Sequence, residues 1–427
     1  MRSVTPMVAA IYSVWALFLG IALLRLGHGL QGSLLGLRAG IEGFNSAVIG
    51  AVMAGYYAGF LIGSIVTPVL IARVGHIRVF AALASLASTS ALLFVLFVHP
   101  GAWFAMRVLS GFCIAGLYVV SESWLNHNAT NETRGQLLSV YMIVMFAFMG
   151  AGQFMLNLAD PGGFVLFVLV SALISLSLVP VSLTTIPGPQ LEKPKPVTVG
   201  ELYRRSPLAV IGCLGLGAAQ GAFFTMTAVY ATQLGLSVAK VSLLLSVPFL
   251  GVVLLQYPIG LVSDRYDRRR VIVAVAVLSA LVAVVCNFAA DRSFAALAVL
   301  FAVFGGLSMP IYSIVIAHAN DCLDEDQRLG ASGKLVLVNG FGSMFGPVLA
   351  GSLLDRLGPS SFLYYMAAIY LLLAVFAIYR MTRSAPIDLD ERIDFVLLSP
   401  RATAVAATTA LAEEGWSDDE GEDTGAG

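Results

Sequence analysis

A chain of 427 residues that is 58% hydrophobic, 11% charged and of net charge −1 is no ordinary soluble domain, because such domains carry roughly 25% charged residues. Its solvent is the lipid bilayer. Nucleic acid is not an expected partner.

Apolar runs of about 20 residues, enough to carry a helix across about 30 Å of hydrocarbon, predict twelve spans. They are roughly 9–33, 46–69, 79–98, 103–125, 136–158 and 163–184, then 207–233, 240–262, 271–289, 294–318, 331–354 and 361–381. Span one places Arg25, His28, Gly29 and Gly32 at i, i+3, i+4 and i+7, on one helix face. An arginine near a bilayer centre costs roughly 2.5–3.5 kcal/mol on insertion scales, so it faces a cavity or a partner. Two readings stay open for Arg25: contact with a substrate anion or carboxylate, or a structural pairing between helices. His28 reads either as a proton carrier, since an unperturbed imidazole titrates near about pH 6.5, or as a packed polar residue. The span is too long for a signal-peptide core and lacks a convincing cleavage site, so it is expected to be retained.

Spans three, six, nine and twelve hold little polarity and form the expected lipid-facing set. Span four carries Arg107, Gly111, Tyr118 and Glu122, whose spacing returns to within about 60° of one direction on a helix. Glu122 lies within about a turn of the cytoplasmic end. A buried carboxylate is a proton-relay candidate because burial disfavours its charged form; the competing reading pairs Glu122 with an inner-loop arginine as a gate latch. Residues 185–206, with Pro187, Pro189, Pro194, Pro196, Lys193, Lys195, Arg204 and Arg205, have linker composition. Span seven presents Gln220, Phe223, Phe224, Thr227 and Tyr230 on one face, which suits either a pocket for an amphipathic organic molecule or plain helix packing.

Residues 384–427 end in Asp418-Asp419-Glu420-Gly421-Glu422-Asp423 and are expected to be a disordered acidic cytoplasmic tail. Cys113, Cys213, Cys286 and Cys322 show no CxxC spacing and no histidine cluster, so neither a disulfide framework nor a metal site is expected. The acceptor patterns at Asn128 and Asn131 fall on the cytoplasmic side and carry no weight.

Lys and Arg fall 18 on one side and 4 on the other, with Arg25 and Arg107 inside the membrane. Cationic loops stay cytoplasmic, so both termini are expected in the cytoplasm.

The chain also repeats itself. Gly29, Gly43, Gly59, Arg73 and Arg78 recur 192 positions later as Gly221, Gly235, Gly251, Arg265 and Arg270. Gly111, Tyr118, Asn126, Arg134 and Gly152 recur at an offset of 194 as Gly305, Tyr312, Asn320, Arg328 and Gly346. Parallel repeats in an apolar chain point to a transporter. The expected domains are residues 1–184 and 207–383, each a six-helix bundle.

Between spans eight and nine lies Gly260-Leu261-Val262-Ser263-Asp264-Arg265-Tyr266-Asp267-Arg268-Arg269-Arg270. It resembles the signature loop of the major facilitator superfamily, roughly G-x-L-x-D-R-x-G-R-R, with Asp267 in place of the usual glycine. Its physical logic is a latch. Asp264 can accept from the exposed N–H groups opening a neighbouring helix, and the arginines can pair with carboxylates across the domain interface and with lipid phosphates. The first-half copy has Pro68 for the glycine and Ala72 for the aspartate. Arg107-Val108-Leu109-Ser110-Gly111 is similar to the superfamily's R-x-x-x-G motif, associated with proton transfer in proton-driven members. The run from Arg107 through Tyr118 and Glu122 to Arg134-Gly135 resembles the YcaD-like branch, and the likeness covers about residues 8–383.

That resemblance implies an all-α membrane protein of twelve transmembrane helices in two pseudo-symmetric six-helix bundles, working by alternating access with ion coupling. The resulting expectation is a monomeric secondary active transporter of the bacterial inner or plasma membrane, moving a small organic solute with protons. No Walker motif appears, so a gradient rather than ATP is expected to drive it. No cofactor or metal is expected. The pathway candidates are Arg25, His28, Arg107, Tyr118, Glu122, Gln220, Phe224 and Tyr312. The cytoplasmic gate candidates are Arg73, Arg78, Arg134, Gly260, Asp264, Arg265 and Arg268. The aromatic face of span seven favours efflux, while Arg25 favours uptake of an organic anion. A transporter-like sensor without flux is the alternative class; a membrane enzyme has no nucleophile–base or metal-ligand spacing behind it.

Overall fold

The computed structural model describes residues 6–127, 134–183 and 197–383. The expected acidic tail, the first part of the expected linker and the two asparagine acceptor sites lie outside them. Apolar runs become helices because a backbone in hydrocarbon must satisfy its hydrogen bonds within the segment. Among the described residues these are α1 (Pro6–Ile41), α2 (Ser46–Val74), α3 (His76–Leu96), α4 (Pro100–His127), α5 (Arg134–Phe154) and α6 (Val165–Ser182) in the first half. A short helix, α7 (Val199–Arg205), lies in the expected linker and precedes α8 (Pro207–Gln233), α9 (Val238–Arg265), α10 (Arg268–Ala290), α11 (Phe294–Ser308), α12 (Pro310–Asp321), α13 (Glu325–Leu357) and α14 (Ser360–Met381). Twelve spans are long and apolar enough to cross a membrane, α11 and α12 together making the tenth.

That tenth span is broken where its first-half counterpart, α4, runs unbroken. Pro310 has no N–H to donate to the carbonyl four residues back, and its ring crowds that turn. Span five is shorter than its apolar run, which ends in a 3-10 turn over Met155–Leu158. Lipid-type exposure is not confined to spans three, six, nine and twelve: Leu250, Leu254 and Tyr257 of α9 are exposed as well.

The repeat glycines turn out to be helix crossings. A Cβ at Gly59 would fall on the Val108 carbonyl, and one at Gly111 on the Tyr56 carbonyl, so α2 and α4 meet backbone to backbone. In the second half Gly251 meets the Ala302 carbonyl and Gly305 meets Pro248, joining α9 and α11 at the equivalent positions. Gly29 and Gly152 bring α1 onto α5 as Gly221 and Gly346 bring α8 onto α13. Small residues let membrane helices approach this closely, and dispersion contacts then replace the missing hydrophobic drive. The remaining repeat pair, Gly43 and Gly235, have φ of 78° and 71° in matching turns, a conformation that favours glycine.

The halves meet along α2 with α13 and α5 with α9. On the face opposite the chain ends, Gln233 Nε2 donates to Ser46 Oγ at 2.9 Å and Asn157 Nδ2 donates to Ser242 Oγ at 2.8 Å. Nearby, Ser246 Oγ donates to the Gly150 carbonyl at 3.0 Å. Gly50 lies against the Pro347 carbonyl, so that face is closed by backbone contact as well.

Candidate functional site

Two linked clusters of buried polar groups occupy the first half. On α1, Arg25 is 2% exposed; its Nε donates to Met145 Sδ at 2.6 Å, and its guanidinium carbon lies 4.1 Å from the centroid of the Tyr118 ring. A cation over an aromatic face gains about 2 kcal/mol or more once desolvated, which helps to hold the charge in the membrane. Glu122, one helical turn along α4 from Tyr118, accepts from the Tyr141 hydroxyl at 2.8 Å, and that hydroxyl is within electrostatic reach of Arg25. The first cluster is thus Arg25, Tyr118, Glu122 and Tyr141.

The second cluster begins one turn along α1. His28 Nε2 lies 3.3 Å from the Tyr56 hydroxyl, with the two rings stacked at 5.3 Å. Arg107 sits on the same Tyr56 ring, 4.7 Å from its centroid. His28 also meets Tyr118 edge-on at 6.4 Å, which joins the two clusters.

A cavity of about 30 Å³ lies where the second cluster faces the other half. It is lined by His28, Tyr56, Arg107 and Gln153 on one side and by Phe223, Phe224, Thr227 and Phe249 on the other, among others. A water needs about 10–15 Å³ by this measure, so the space holds about two waters and no organic solute in this conformation. Phe224 and Phe249 stack at 6.0 Å with planes 14° apart, and Phe249 also meets Phe146 of the first half at 6.3 Å. Gln153 Nε2 donates to the Met149 carbonyl at 3.3 Å, while its Oε1 has no hydrogen-bond partner among the described residues.

The other pathway candidates separate from this wall. Asn339 Nδ2 donates to Gln220 Oε1 at 3.3 Å and to the Cys213 carbonyl at 3.2 Å, so Gln220 joins α8 to α13 instead of lining the cavity. Tyr312, the repeat partner of Tyr118, is 1% exposed, and its hydroxyl has no partner among the described residues. Sequence reasoning missed Tyr56, Tyr141, Met145, Gln153 and Asn339. Amides within apolar spans are a signal that could have found Gln153 and Asn339; the tyrosines look like ordinary span residues.

At the chain-end face the signature loop is held by ion pairs centred on Arg268. Arg268 Nε donates to Asp321 Oδ2 at 2.8 Å, with the two side chains 1% and 2% exposed. Its Nη1 lies 3.5 Å from Asp264 Oδ1 and 3.4 Å from Ser263 Oγ. Asp321 ends α12, so this ion pair ties together helices of one half, where the sequence pointed to a carboxylate across the interface. The helix opening at Arg268 is capped by Asp267, whose Oδ1 accepts from Arg269 N at 3.0 Å. The residue that departs from the motif therefore caps the helix that it precedes. Gly260 is buried in α9, while Arg265, Arg73 and Arg78 are exposed. Arg134 opens α5, but its side chain lies outside the described residues.

The matching place in the first half is occupied by different residues. His76, the repeat position of Arg268, hydrogen-bonds Ser123 Oγ at 3.1 Å and packs on Trp124 at 5.9 Å.

Similarities to known proteins agree with this architecture. The family model described as Major Facilitator Superfamily matches residues 17–241 and again 227–412, once for each half. The MFS-type transporter YcaD of Escherichia fergusonii, itself uncharacterized, is 25% identical over 368 residues, covering 84% of this chain and 94% of that protein. YcaD of Escherichia coli K12 DH10B matches with the same identity and coverage. Among solved structures, the nucleoside transporter NupG superposes with a TM-score of 0.70 at 14% identity, over 88% of this chain and 99% of that one. A bacterial homologue of the human lysosomal transporter Spinster, inward-facing and occupied, gives 0.68 at 16% identity, over 92% and 99%. Likeness at these identities shows a shared fold.

Proposed function

Because this chain belongs to the major facilitator superfamily and is a multi-pass membrane transporter, we propose that it is a proton-coupled secondary carrier of a small organic solute, acting as a monomer by alternating access. The observation that carries this reading is the chain of buried ionisable groups running from Glu122 and Arg25 through Tyr118 and His28 to the cavity wall at Arg107. Glu122 and His28 are the proton carriers in this scheme. A proton bound at Glu122 weakens its hold on the Tyr141 hydroxyl, and the loosened cluster lets the Arg25 guanidinium follow the solute as the bundles rock. Buried charge in a span is expensive, which makes function its default explanation.

The arginine bias supports a topology with both chain ends in the cytoplasm, and the proposed setting is a bacterial inner or plasma membrane. The interface closed on the opposite face then corresponds to a carrier shut towards the outside. The aromatic wall suits amphipathic compounds, with efflux the proposed direction. The test is transport in vesicles reconstituted with the full chain, offered a mixed panel of organic acids, bases and neutral solutes under an imposed pH gradient of either sign. The proposal expects at least one solute to accumulate, and a protonophore to abolish the accumulation. Ligand-dependent change in spin-label distances without flux of any solute would favour the sensor reading instead.

A further inference from the structure

The cavity walls differ in character, and on the carrier reading, on which this inference rests, that difference selects the solute. The first-half wall carries Arg107, 2% exposed, and His28, 3% exposed, with Tyr56 between them. The second-half wall is aromatic, built on the stacked pair Phe224 and Phe249. No carboxylate lines the cavity among the described residues, so the fixed charge of its wall is positive. Glu122 stands 15 residues along α4 from Arg107, about 22 Å at 1.5 Å per residue, at the far end of the cluster with Tyr141.

A guanidinium in a low-dielectric site attracts an anion far more strongly than it does in water, and its planar fork matches an oxyanion acceptor. A flat aromatic wall opposite buries an apolar body and aligns it by stacking. The small present volume means that the halves must part to admit such a molecule and can close over it afterwards.

We propose that the solute is an amphipathic organic anion, its acidic head held at Arg107 beside His28 and its aromatic or other apolar body lying against Phe224 and Phe249. An acidic head at this wall meets the Arg107 guanidinium directly while the body covers the aromatic pair.

The test uses three probes of one shape: 3-phenylpropanoate, the neutral 3-phenylpropanamide and the cation 3-phenylpropylammonium. Their binding to the purified full-length chain is measured at equilibrium by dialysis, with the shift in melting temperature as a second readout. A charge-assisted contact predicts that the carboxylate binds about tenfold or more tightly than the amide, with the ammonium weakest. Arg107→Gln should erase that order, Arg107→Lys should keep part of it, and Arg292→Gln, at an exposed loop position, should leave it unchanged. If Arg107→Gln does not fold, as its melting curve without probe will show, the order of the three probes on the wild type and on Arg107→Lys decides. Equal binding of the three, preference for the amide or ammonium, no binding of any, or an order that survives Arg107→Gln overturns the proposal. Binding is read without a gradient, so a chain that accumulates solutes in vesicles yet shows no anion preference loses this assignment and keeps the carrier reading.

Discussion

The two halves share their helix crossings and divide their charge. In the first, Arg25, His28, Arg107 and Glu122 are buried within the membrane, and the corner at the chain-end face is held by the His76–Ser123 hydrogen bond. In the second, the same positions are Gly217, Gln220, Phe301 and Ile316, and the corner holds the buried Arg268–Asp321 ion pair. Arg25 reaches Met145, whereas Gly217 lies directly against the carbonyl of Asn339, the repeat position of Met145. One position is thus a side-chain contact in one half and a backbone contact in the other. Duplication preserved what the backbone needs and released what chemistry uses, so one bundle buries ionisable groups within its spans and the other an ion pair at its chain-end corner.

The shared part of this comparison predicts the largest effects. Gly111→Leu and Gly305→Leu each drive a side chain into a facing backbone, where the usual overpacking cost of about 1–3 kcal/mol is a lower bound. Both variants should lose the folded, monodisperse peak in size-exclusion chromatography of detergent extracts; a loss confined to one half would break the equivalence. Next comes that ion pair. Asp321→Ala leaves Arg268 buried without that carboxylate and should cost about 3–5 kcal/mol of stability, read as a fall in melting temperature. The smallest effect belongs to the first-half corner, where His76→Ala removes a hydrogen bond worth about 0.5–1.5 kcal/mol. Equal losses from Asp321→Ala and His76→Ala would mean that the corners do the same work despite their different chemistry.

How much of this was legible depended on whether a residue's role is local. The glycines announced themselves by repeating, because a close crossing forbids any side chain and so leaves the same letter in both copies. Arg25, His28, Arg107 and Glu122 stood out because charge in an apolar run is costly. Their partners did not: Tyr56 and Tyr141 are unremarkable in membrane spans, and only the packing of α2 and α5 brings them to the charges. The corner ion pair was half legible. Arg268 and Asp264 lie in the motif, but Asp321 comes 53 positions later at the end of a broken span, and Asp267 looked like a departure until its cap was seen. The partner of Gln220 was not legible because a helical stripe does not say which neighbour it faces, and that neighbour is Asn339.

On the proposed function, the first half couples proton movement to solute movement through Glu122. That coupling is tested most directly by comparing two modes of transport in the same vesicles, wild type against Glu122→Gln. One is accumulation driven by a pH gradient; the other is exchange of labelled for unlabelled solute with no gradient present. The account predicts that Glu122→Gln retains exchange and loses accumulation, because the solute path is intact while the proton has no carrier. Accumulation at the wild-type level in Glu122→Gln would contradict it.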